Sequence, residues 1–144
     1  MLRSSNIATN STIKSSLAQL ENYLAMQGND ADYYETLAEA LYKLHALVRI
    51  HHAADMLEDP QSDALNIPPQ CTQDLRRLRD EHSDILGKLD RLVSVVDSIV
   101  DQANDDQDVF FFRLRELIAI VRRHEAEEDR LFALALWHDT GGES

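Results

Sequence analysis

Four stretches of this chain carry apolar residues at alternating steps of three and four, and that spacing leaves few folds open. Ile13, Leu17, Leu20 and Leu24 form the first stripe, and Leu37, Leu41, Leu44 and Val48 the second. The third runs through Leu75, Leu78, Ile85, Leu89, Leu92, Val96 and Ile99, and the fourth through Phe110, Leu114, Leu117, Val121, Leu131 and Ala135. Such steps keep side chains on one face of a helix, where a strand would need strict alternation. Turn and capping residues separate the stripes at Gly28-Asn29-Asp30, from Asp59-Pro60 through Pro68-Pro69, at Asn104-Asp105-Asp106 and at Gly141-Gly142. The reading is an all-α chain with helices near residues 9–27, 31–58, 72–103 and 107–138. Mostly short links between amphipathic helices imply an antiparallel up-down-up-down four-helix bundle. We expect a single domain over 1–144, with loose ends at 1–8 and 139–144.

Each stripe is interrupted by a residue able to hold a metal, or close to one. In the third, the step after Leu78 lands on His82. In the fourth, the steps after Val121 land on His124 and Glu128. In the second, the steps after Val48 land on His51 and Asp55. In the first, three residues back from Ile13 stands Asn10. In an up-down bundle Asn10 and His82 fall near helix starts and the other four near helix ends, so all six share one end. The Val48–Asp55 octapeptide VRIHHAAD aligns with the Val121–Glu128 octapeptide VRRHEAEE, which makes the bundle read as two similar halves. A His and a carboxylate four apart lie on one face, about 6 Å apart along the axis. An ionised carboxylate in an apolar seam is costly without a partner, and a metal supplies one.

At this point the pattern resembles the hemerythrin-like (HHE cation-binding) family. The stretches that carry the likeness are Leu78-Arg79-Asp80-Glu81-His82 and His124 through Phe132, HEAEEDRLF. The resemblance implies a di-iron centre that binds dioxygen or a related small molecule, or that senses or stores iron or oxygen. Carried over, it makes His51, His82 and His124 terminal ligands and Asp55 and Glu128 bridging carboxylates. There are three departures: Asn10 stands where the family has a first-helix His, Asp55 is a methylene shorter than the commoner Glu, and Leu86 replaces a further His of oxygen carriers. They weaken the second iron. Zinc is an alternative metal, since His and carboxylate ligands suit it too. Ile13, Leu86 and Leu131 are the expected apolar wall around a bound gas. No substrate is transformed in this reading, so the chain is not taken as an enzyme.

Composition narrows the partners. Fourteen Lys and Arg against 26 Asp and Glu give a net charge of −12, which disfavours nucleic acid and anionic membrane surfaces. No apolar run reaches a membrane span or resembles a signal peptide, so a cytoplasmic location is expected. The lone Cys71 excludes an internal disulfide. Two other functions compete. One is a metal-free or single-metal degenerate bundle that serves as a protein-interaction module. The other is a phosphotransfer bundle, disfavoured because its His must be exposed and because acidic residues flank His124. His45 is expected at the surface, His52 and Glu125 as flanking residues, and Trp137 and His138 as a cover for the bundle end.

Overall fold

The computed structural model describes residues 2–26, 28, 31–57, 69–101 and 106–139, with side chains described over 12–26, 28, 32–53, 71–99 and 107–134. The chain forms four helices: α1 (Leu2–Met26), α2 (Ala31–Leu57), α3 (Pro69–Asp101) and α4 (Asp106–Asp139). All four stand where the 3-4 spacing puts them. α1 begins well before residue 9, and α3 takes in Pro69 as its first residue. A proline is well tolerated there because its missing N–H would lack a partner in any case.

Side-chain ties set the directions. Lys14 pairs with Asp129 and Glu21 with Arg122 between α1 and α4. Tyr42 donates to Asp97, and His45 meets Asp90 between α2 and α3. Arg77 reaches Glu127, and Gln107 donates to the Ile99 carbonyl between α3 and α4. In every pair the numbers rise along one helix as they fall along the other, so these neighbours are antiparallel. α2 and α4 lie diagonally and run parallel, since Tyr34 stacks near Phe111 at one end and His51 meets Glu128 at the other.

The stripes meet inside. Leu17, Leu20, Leu37, Leu41, Leu44, Leu89 and Leu114 are wholly buried in one main core. Each such side chain contributes about 1.5–3 kcal/mol of burial, so the stripes dominate the stability of the bundle. A second, small apolar cluster of Cys71, Leu78 and Leu131 lies apart from that core. Between the two stripe segments stand His51, His82 and His124, so a polar layer divides the interior. At the far end, the Tyr33 hydroxyl donates to the Tyr23 carbonyl at 2.6 Å and ties α2 back onto α1. Gly28 fits beneath that ring, where a Cβ would lie 2.6 Å from Tyr33. Among the described residues no helix is long and apolar enough to cross a membrane.

Candidate metal centre

The polar layer takes its form from helix periodicity. On α4, Val121, His124, Glu128 and Leu131 follow steps of three, four and three, so His124 and Glu128 must point where their apolar neighbours point. His82 takes the same place between Leu78 and Ile85 on α3, as does His51 after Val48 on α2. All three imidazoles are only 3% exposed. The Glu128 side chain is 11% exposed and sits among them.

Glu128 is the hub. Its two oxygens lie 3.2 and 3.1 Å from His51 Nε2. His82 Nε2 is 3.5 Å from Oε2, and His124 Nε2 is 3.4 Å from Oε1. The rings crowd together, with centroids 5.0 Å apart for His51 and His82 and 4.4 Å apart for His82 and His124. Burial opposes ionisation of Glu128, but hydrogen bonds from His124, His51 and His82 overcome it and hold the carboxyl far below its usual range. The same contest runs at His124: burial pulls its pKa down, yet contacts with Glu128 and Glu81 leave it raised.

Glu81, which the sequence reading passes over, also touches the polar layer. Its Oε1 lies 3.0 Å from His124 Nδ1. A carboxylate there accepts a hydrogen bond from Nδ1–H and fixes the ring with Nε2 toward Glu128, the usual way of orienting a metal-binding imidazole. Arg77 steadies Glu81 from one turn earlier, at 3.9 Å. The only sequence signal is that Glu81 precedes His82 and so lies on the flank of α3 next to α4.

The expected ligands are therefore brought together in large part. The tightest set is His51, His82 and Glu128, whose donor atoms all lie within 4.8 Å of one another. His124 stands beside this set, with Nε2 3.4 Å from Glu128 and its ring centroid 4.4 Å from that of His82. Asp55 lies on α2 and Asn10 on α1, but both side chains are outside the described residues, as are those of Trp137 and His138. Ile13 is buried in the main core, Leu86 packs against it, and Leu131 belongs to the small cluster. His45 is held by Asp90 at 2.5 Å on the bundle flank. His52 is more than a flanking residue. Its ring meets His82 edge-on at 5.6 Å, and burial, then His82, lowers its pKa.

A family model, the hemerythrin HHE cation-binding domain, matches residues 8–135. The chain belongs to that family. No curated protein and no solved structure gave a match. The hemerythrin-like bundle thus carries its polar layer where a cation would sit. Three imidazoles and a carboxylate, with Glu81 orienting one ring, are a donor set that fits a first-row divalent ion.

One neighbouring group was underrated by sequence. Glu125 is only 3% exposed. Burial, followed by the charge of Glu128, pushes its pKa up to about 7 against the pull of His51 and His124.

Proposed function

We propose that this hemerythrin-like domain binds iron in a di-iron-like centre and there binds or senses dioxygen, a related small molecule or iron itself. The observation that carries the reading is the convergence of three buried imidazole Nε2 atoms on one carboxylate. An apolar core would gain nothing from such a layer, because burying three imidazoles and a carboxylate is costly unless they serve one another or an ion. His51, His82, His124 and Glu128 hold the metal, joined by Asp55 from α2. The domain transforms no substrate; bound iron supplies reversible redox and gas-binding chemistry. Zinc fits the same donors, so the metal must be identified directly.

A second reading has an observation in its favour. Glu128 already satisfies His51 at 3.1 Å without an ion. A metal-free or single-metal bundle acting as a protein-interaction module would keep the same network as a structural element. Iron and zinc per purified chain, measured with an ultraviolet–visible spectrum before and after air exposure, separates the two. Iron near or above one per chain with an oxygen-dependent absorption band is expected. A chain free of iron after reconstitution overturns the proposal.

A further inference from the structure

We propose that the groove between α3 and α4 binds an amphiphilic carboxylate, with its head between Arg91 and Arg113 and its hydrocarbon chain along Val95 and Val109. This site lies outside the polar layer and does not depend on a metal there. The groove has a volume of about 700 Å³, within the range of sites that hold one small ligand. Its floor is formed by Leu92, Ile99, Phe110 and Leu117 of the main core. Its banks carry Val95 and Val109, which stay 42% and 47% exposed. Gln107 reaching the Ile99 carbonyl and Arg77 reaching Glu127 fix how the antiparallel α3 and α4 lie side by side. In that register Val95 stands level with Val109, Arg91 with Arg113, and Lys88 with Glu116. Each arginine lies four residues from the valine of its own helix, about 6 Å along the axis. The groove therefore changes from apolar to cationic over one helical turn, on both banks at once.

The charge is the second observation. The chain carries a net −12, yet among the described residues neither the Arg91 nor the Arg113 guanidinium makes an ion pair or hydrogen bond. The acids of α3 are engaged elsewhere: Asp90 meets His45 and Asp97 accepts from Tyr42, both toward α2. Lys88 is held by Asp84 at 3.2 Å and stands level with Glu116, so the uncompensated charge is confined to the level of the two arginines. That pattern selects the occupant. One cationic level calls for one anionic head, and guanidinium forks suit a carboxylate. Apolar surface on both banks one turn away calls for a hydrocarbon chain, whose burial there drives binding. A docked acidic helix would bring several carboxylates, of which one level alone finds unpaired cations. A second copy of the chain would bring another net −12 and be repelled.

The test is calorimetric titration of the full chain with dodecanoate below its micelle-forming concentration, beside dodecyltrimethylammonium and acetate, with circular dichroism as the folding control. Dodecanoate is expected to bind one per chain, and the other two are expected not to bind. Arg91→Gln and Arg113→Gln should each weaken dodecanoate by about fivefold to tenfold with helix content unchanged. Val95→Ser and Val109→Ser should weaken it as well, whereas Lys14→Gln, on another flank, should leave it as it is. Absence of dodecanoate binding, equal binding of the two dodecyl compounds, or unchanged binding in both arginine variants overturns the proposal. So does a helical peptide of Glu and Leu that outcompetes dodecanoate, or a dimer in sedimentation that the arginine variants disperse, since either puts a protein on this face.

Discussion

Glu128→Ala in the metal-free chain probes the polar layer itself. The substitution removes the one acceptor shared by His51 at 3.1 Å, His124 at 3.4 Å and His82 at 3.5 Å. Three buried imidazoles then lose their common counter-charge. Truncating one side of a buried charged pair costs about 3–5 kcal/mol, a large part of the roughly 5–15 kcal/mol that holds a domain together. At about 3 °C for each kcal/mol, the melting temperature falls by roughly 10 °C. The assay is urea unfolding after chelation, followed by far-ultraviolet circular dichroism. The slope should stay constant while the midpoint drops. The sign of the pH dependence is also set. The folded Glu128 pKa lies below its ordinary 4.5, so its stabilisation is present above that value and is lost as pH falls. The gap between wild type and Glu128→Ala should therefore be full at neutral pH and shrink progressively below about pH 4.5. A loss at neutral pH under about 1 kcal/mol would put the pair in the range of surface ion pairs and refute the reasoning.

Glu125 should behave in the opposite sense. Its folded pKa is raised from 4.5 to about 7, so the stability that its neutral form contributes is complete below pH 4.5 and lost as pH rises through 7. Metal-free Glu125→Gln should be more stable than wild type by about 3 kcal/mol at pH 8 and nearly equal to it at about pH 4, as measured by urea midpoints. Gly28→Ala should destabilise by about 1–3 kcal/mol because its Cβ would press on Tyr33. Gly87→Ala, with nothing within 4 Å of the new Cβ, should stabilise α3 by about 0.5–1 kcal/mol in the same urea curves. Leu117→Ala, at 1% exposure, should cost about 2–5 kcal/mol, while Leu134→Ala, at 37%, should cost far less in parallel denaturant curves.

The helices were legible because one property, the 3-4 recurrence of apolar residues, is both local and strong. The polar layer was legible for the same reason: His51, His82, His124 and Glu128 lie on the extrapolated stripes, so helix geometry alone carried them inward. Glu81 and Glu125 were not legible in that way. Each lies a step off its stripe, and its burial or contact depends on which flank of its helix meets a neighbour. That is decided by the rotation and tilt of packed helices, which no single stripe encodes. The approach of His51 to Glu128 at 3.1 Å likewise follows from how α2 lies diagonally across from α4. Such an offset arises between helices and leaves no mark in either sequence.

Beyond the polar layer, among the described residues, stands the small apolar plug of Cys71, Leu78 and Leu131, apart from the main core. A plug of few buried apolar contacts opens at less free energy than a large core does. Amide exchange should be faster around Leu78 and Leu131 than around Leu89 and Leu114, and an ion joining α2, α3 and α4 should slow it by favouring the closed form. The escape rate of a cation bound there would then depend on how often the plug opens as well as on its bonds to nitrogen and oxygen. Leu78→Ala, which leaves every ligand in place, should hasten transfer of the metal to a chelator. The lifetime of a charged centre would in this sense rest partly on three uncharged side chains beside it.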